Sequence, residues 1–365
     1  MLAMLADYKM TFVLVAPVLG LIGGIAALVA RIIKGADAAR ALLNGLETFL
    51  TTMAGAIIAF MFVRVLLWFA GDSHQAAVVV GTFVLIWPMI IDVIWGGIVT
   101  TFQLSYPPLA LDAGRLPYFA LVTGALTGFF DGYRQIHAWL KGRGFLTFLC
   151  DTTWGLPLAP NAVLMHLINF PNLFKTSPPV GGQIWMAALH QDKPRTGAHI
   201  YLTGTRLKQG YAFTQGNVIS NLWLERGPPI ALGIEEHERT HVLQNRVFGP
   251  LFWVTYVSWL IVFGAFGLIW GALSGSNRKH ANGAALEPGS RAPFWWGYLN
   301  NPWEVWAYKH NPSSRMTDNP AAPMGYNDTV LSWPVAVVVT FMIFLFAGVG
   351  ALLFQIVRST WFIGT

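Results

Sequence analysis

Long apolar stretches alternate with short polar connections along most of this chain. Residues 10–33, 47–70, 76–101 and 329–357 hold few charges, and each exceeds the roughly 20 residues that a helix needs to cross a bilayer. They predict four transmembrane helices. Three further apolar stretches are ambiguous. "LPYFALVTGALTGFF" (116–130) is short, 145–170 is interrupted by Asp151, Pro157 and Pro160, and 251–272 follows directly on a charged segment. A re-entrant or interfacial course is open to each of them. Between 180 and 228 the pattern changes. "HIYLTGTRLKQGYAFTQGNVIS" is rich in Thr, Tyr and turn residues, which predicts a small water-exposed β element with a hairpin tip at Lys208-Gln209-Gly210. Pro228 and Pro229 then suit a helix start and Gly249-Pro250 a helix stop, so a helix is expected over about 230–248.

Composition agrees with the pattern. With 55% hydrophobic residues, 11% charged and 16 Trp, a soluble core explains the chain poorly and a polytopic membrane protein explains it well. The net charge of +6 is scattered through the connections rather than gathered in basic tracts, which excludes a nucleic-acid surface and points to lipid contact and topology. Arg31, Lys34 and Arg40 place their loop in the cytoplasm and leave 71–75 outside. Arg115, Arg134, Lys141 and Arg143 join the cytoplasmic side if 116–130 does not cross, which is the preferred reading. The single Cys150 excludes an internal disulfide and a thiolate metal site. Residues 10–33 lack a small-x-small site before Arg31 and read as a retained anchor, not a signal peptide. An integral protein of a bacterial cytoplasmic membrane is the expected setting.

The charges that do occur are concentrated. "EEHERTH" (235–241) holds three of the seven glutamates and two of the nine histidines, next to a hydrophobic run. On a helix His237 and His241 project from one face and can share a metal ion. Glu238 stands beside the first ligand and can take a proton from an attacking water. This is the HExxH arrangement: neutral imidazoles suit Zn²⁺, and the carboxylate serves as general base. The bland alternative is a pair of surface histidines among Glu–Arg ion pairs.

A catalytic zinc needs a third ligand. Downstream, Glu287, Glu304, Asp318, Asp328, His280 and His310 are available. Glu304, in "NNPWEVWAYKH", is preferred because Asn301 can cap a helix and Pro302 suits its first position, with the small Ala307 on nearly the same face. The same Asn-Pro-Trp-Glu also fits a capping box in which Glu304 only reaches back to the Asn301 N–H. All ligands must lie within about 2 Å of one ion. Residues 251–272 are therefore expected to form a hydrophobic hairpin turning near Phe263-Gly264-Ala265-Phe266-Gly267, unless 291–299 brings the chain back.

HExxH on a helix, a membrane-embedded segment and then Glu-x-x-Ala on a second helix resembles the gluzincin integral-membrane metallopeptidases, the class of HtpX and the CAAX prenyl-protein protease. The resemblance covers roughly 198–310 and implies a zinc site of His237, His241 and Glu304 with Glu238 as general base. Tyr308 stands where that family usually has Asp after the Ala, and the family places a pair of spans between the two halves of its site. Tyr211, Tyr308 and His310 are candidates for stabilising an oxyanion. Arg64 and Asp92 lie at different depths and are not expected to pair; Trp295, Trp296, Trp303 and Trp306 read as interfacial belt residues.

The reading is thus a mainly α-helical polytopic membrane protein with a small β element beside a zincin-like HExxH helix. Its parts are a three-span scaffold (1–115), a membrane-associated or re-entrant segment (116–179), the metal-site region (180–310), and a C-terminal loop with the last span (311–365). The expected activity is zinc-dependent hydrolysis of peptide bonds in membrane-associated or apolar substrates, on the cytoplasmic face, with lipids as neighbours. A non-catalytic structural or assembly subunit of a larger membrane complex is the alternative.

Overall fold

The computed structural model describes residues 8–102, 110–141, 144–168, 197–201, 212–220, 228–274, 298 and 301–310. These are mostly helical, with one three-stranded sheet. The helices are α1 (Ala16–Ile33, continuing a π-helical turn Thr11–Val15), α2 (Ala38–Phe69), α3 (His74–Val84), α4 (Ile86–Thr101), α5 (Leu116–Arg134), α6 (Phe145–Thr152), α7 (Ala159–Ile168), α8 (Pro228–Phe248), α9 (Pro250–Ser274) and α10 (Pro302–His310). The strands are β1 (His199–Ile200), β2 (Phe213–Gln215) and β3 (Val218–Ser220). The chain divides into two compact units: Met1–Glu225 with Asn245–Pro250, and Arg226–Gln244 with Leu251–Thr365.

The first unit is built on α1, α2 and α5. Small residues let their backbones approach: Gly24 and Gly45 face each other across α1 and α2, where a Cβ on either would stand 3.0 Å from the other's carbonyl oxygen. Gly55 and Gly124 do the same between α2 and α5, and closer still. Ala16, Ala56, Phe60, Leu121 and Ala125 fill the space between the three helices. At one end the packing turns polar. Arg31 donates to Asn44 Oδ1 (3.1 Å) and to the Tyr133 carbonyl (2.8 Å), while the buried Glu47 accepts from Gln135 Nε2 (2.9 Å) and the Trp139 amide (3.0 Å). Asp37 caps α2 by accepting from the Arg40 amide, so this helix starts nine residues before the apolar run does.

By length and composition, two described helices could cross a membrane, Thr11–Ile33 and Ala38–Phe69. α1 leaves Val18, Leu21, Ile22, Ile25, Val29 and Ile32 exposed, while Gly20, Gly23, Gly24 and Ala27 are buried. Its large side chains therefore face outward and its small ones inward.

Several expectations change. The stretch 76–101 is two helices, not one: Leu85 (φ −143°, ψ 89°) separates α3 from α4. Pro88 explains the break, since in a continuous helix its ring would meet the Val84 carbonyl. Residues 116–130 belong to the 19-residue α5, which packs lengthwise on α2 because Gly124, Gly128 and Gly132 admit that backbone. The stretch from 145 is interrupted, into α6, a 3₁₀ turn at Leu156–Leu158 that holds Pro157, and α7 with Pro160 in its first turn, while Asp151 lies within α6. Arg64 pairs with Asp72, and Asp92 accepts from the amides of Ala110 and Leu111 (2.7 and 2.6 Å), so the two are not partners.

The β element is present among the described residues. β3 is central, parallel to β1 (His199 opposite Val218) and antiparallel to β2 (Gln215 opposite Val218). The tight turn falls at Gly216-Asn217, where Gly216 has φ +58°. Lys208–Gly210 lies outside the described residues, as does the expected span 329–357.

Residues 251–272 do not form a hairpin. They lie within α9, a single helix of 25 residues running unbroken through Phe263–Gly267. A helical glycine costs only about 1 kcal/mol relative to Ala, too little to turn a long apolar helix by itself. Between α8 and α9 the chain is broken only at Gly249 (φ +51°), the residue that ends α8.

Candidate metal centre

α8 carries His237 and His241 one turn apart, and both are buried, at 4% and 7% exposure. Glu304 enters from the first turn of α10 at 2% exposure. Asn301 caps that helix by accepting from the Trp303 amide (3.2 Å), and its own amide donates to the Tyr298 carbonyl (3.0 Å). The Glu304 carboxylate is therefore not spent in a capping box. It faces the two imidazoles, with Oε2 at 3.2 Å from His237 Nε2 and Oε1 at 3.2 Å from His241 Nε2. The two Nε2 atoms are themselves 3.2 Å apart.

The surrounding hydrogen bonds fix what these atoms present. Gln244 donates its amide to the Trp303 carbonyl (2.9 Å), so its oxygen is the atom 2.8 Å from His241 Nδ1. That oxygen can only accept. His241 Nδ1 must then carry the hydrogen, and Nε2 turns a lone pair towards Glu304 and His237. On the other side Tyr256 donates its hydroxyl to Glu304 Oε1 (2.6 Å), while Glu304 Oε2 is buried and accepts no hydrogen bond among the described residues. Electron-rich atoms thus converge on one point, and only a cation reconciles them, whether a proton or a metal. Separations of 3.2 Å are also close to the edge of a tetrahedron with zinc bond lengths, about 3.3 Å.

The electrostatics agree. Burial works against charge on His241, but Glu304, and after it Glu238 and Gln244, outweigh it and push the imidazole up to about 9. Burial likewise works against the Glu304 carboxylate, yet His241 and His237 hold it well below the usual carboxylate range. When no ion is bound, a proton shared among these groups takes its place.

No protein-family model, curated protein sequence or solved structure matches this chain. The residues must therefore speak for the site.

Glu238 is buried, at 6% exposure, on the ligand-bearing stretch of α8, where its charge acts on His241. Its neighbour Glu235 is bound to Arg239 (2.6 Å). Of the proposed oxyanion donors, Tyr211 lies outside the described residues, and Tyr308 and His310 belong to α10 with side chains that are likewise outside them. Sequence reasoning missed Gln244 and Tyr256. Gln244 had a signal, since it follows His241 by three residues on one helix face. Tyr256 had none, because it comes from α9 and meets Glu304 only through tertiary packing.

Proposed function

We propose that this chain is a membrane-embedded zinc-dependent peptidase acting on membrane-associated or apolar peptide segments. The observation that carries this reading is the convergence of two imidazole nitrogens and a carboxylate, with His241 held from outside by Gln244 and Glu304 by Tyr256 so that their lone pairs point inward. His237, His241 and Glu304 would hold Zn²⁺, which supplies Lewis acidity for a peptide carbonyl and for water. Gln244 keeps His241 in its ligating tautomer, and Tyr256 fixes the rotation of Glu304. Glu238, beside the first ligand, takes the proton as water attacks the carbonyl and returns it to the leaving amine. The membrane setting is supported by the apolar helices Thr11–Ile33 and Ala38–Phe69 and by the exposed aliphatic face of α1. The basic residues Arg31, Lys34 and Arg40 favour the cytoplasmic face of a bacterial inner membrane for that end.

The test is cleavage of apolar peptides by purified protein in detergent. Glu238→Gln is expected to lower turnover by about 10²- to 10⁴-fold, the range for a lost general base, with zinc content and thermal unfolding unchanged. His241→Ala should lower the zinc content by one ion per chain. Turnover that survives Glu238→Gln, or zinc content that His241→Ala leaves unaltered, overturns the assignment and favours a non-catalytic subunit.

A further inference from the structure

A second convergence of ligating atoms lies in the first unit, away from the HExxH motif in sequence. Asp131 near the end of α5, His137 just after it and Asp151 on α6 bring their ligating atoms within 4.8 Å of one another. Their side chains are 1%, 1% and 3% exposed. His137 Nε2 is 3.0 Å from Asp131 Oδ2 and 3.5 Å from Asp151 Oδ2. These values bracket the edge of about 3.3 Å expected around a tetrahedral zinc-sized ion.

The same orienting logic holds here. Thr147 Oγ1 gives its hydrogen to the Gly144 carbonyl (2.9 Å) and lies 3.0 Å from His137 Nδ1, so it accepts from that nitrogen. The His137 Nε2 lone pair is then aimed at two buried carboxylates. His199 on β1 approaches the other oxygen of Asp131 (2.8 Å), and Asn217 of the β2–β3 turn bonds both Asp131 Oδ1 (3.0 Å) and Asp151 Oδ2 (3.2 Å). Arg246 binds Asp151 through two bonds of 2.7 and 2.6 Å and neutralises one of the two carboxylates. One further positive charge balances the remaining carboxylate, because buried charge persists only when paired or coordinated, and either a proton on His137 or a cation held between Asp131, His137 and Asp151 supplies it.

We propose that Asp131, His137 and Asp151 form a second divalent-cation site, structural in role, with Asn217 and His199 orienting its carboxylates. Mixed imidazole and carboxylate donors suit a borderline ion of the Zn²⁺ class. Burial of all three ligands keeps the position away from bulk solvent, which suits a structural role. Such an ion ties α5 and α6 to the sheet through Asn217 and His199. It does not depend on the peptidase reading.

Elemental analysis of the full chain, purified in detergent without chelator, tests this in a His237→Ala, His241→Ala double variant that leaves the cluster intact. One divalent ion per chain is expected, and adding Asp131→Asn should remove it. A folded double variant without metal shows that a proton on His137 Nε2 fills the position and overturns the proposal. Should the variants fail to fold, anomalous scattering at the zinc edge from wild-type crystals decides. A peak between Asp131 and His137 supports the site, and a map without one there overturns it, whatever is found at His237 and His241.

Discussion

Gln244 and Tyr256 decide what His241 and Glu304 can do. Gln244→Ala removes the acceptor that holds a hydrogen on His241 Nδ1, freeing the ring to turn or change tautomer. Loss of such an orienting partner typically costs 10- to 100-fold in metal affinity. Chelator competition should show a loss of about that size for Gln244→Ala and a smaller one for Tyr256→Phe, which keeps the ring. Acidity should act on the same atoms. The imidazole of His241 stands at about 9, above its ordinary 6.5, so below pH 9 a metal ion must displace a proton that it need not displace above. Affinity should therefore fall by about tenfold per pH unit from 9 towards 7 and flatten above 9, as measured by zinc titration against a competing chelator. A pH-independent affinity over that range would show that His241 is not a ligand.

At the scale of elements, glycine decides which helices lie together. A Cβ on Gly124 would collide with the Gly55 carbonyl, which belongs to rigid backbone of α2 and cannot swing aside. Gly124→Ala should cost about 1–3 kcal/mol, the usual range for overpacking, read as a lowered unfolding temperature in detergent. Gly96→Ala is its control. Gly96 lies inside α4 with nothing within 4 Å of an added Cβ, so this substitution should be neutral or stabilise by up to about 1 kcal/mol through helix propensity. Equal destabilisation by both would mean that close α2–α5 contact is not what holds these helices. The break at Leu85 and the unbroken α9 make a related point. Pro88 imposes a steric limit that packing cannot remove, whereas the glycines of α9 only permit a bend, and a permitted bend need not form.

For the molecule as a whole, the membrane reading is tested on α1, whose outward face carries Leu21, Ile22 and Ile25. A charged residue at the centre of a crossing helix costs about 2.5–3.5 kcal/mol on insertion scales. Ile25→Arg should shift the protein from the membrane pellet towards the soluble or degraded fraction after alkaline washing, while Ala38→Arg, at the start of α2, should not. Membrane retention by Ile25→Arg equal to wild type would count against α1 as a span.

Much of the candidate site was legible in the residues themselves. Spacing alone put His237 and His241 on one face of a helix whose limits Pro228 and Gly249 set, because helical periodicity and backbone restrictions are local properties. Residue chemistry narrowed the third ligand to a few acids and histidines. Where local rules offered two outcomes, sequence could not choose. Glu304 fitted both a ligand, the preferred reading, and a cap, and only the tertiary structure turns its carboxylate to His237, His241 and Tyr256. A hairpin is the expectation for 251–272, and a straight helix forms instead, since the glycines there permit a turn without imposing one. The Asp131, His137 and Asp151 cluster left no trace in the pattern at all, since its residues come from separate elements with no shared spacing. Their common position follows from how α5, α6 and the sheet pack, which is a property of the assembled chain.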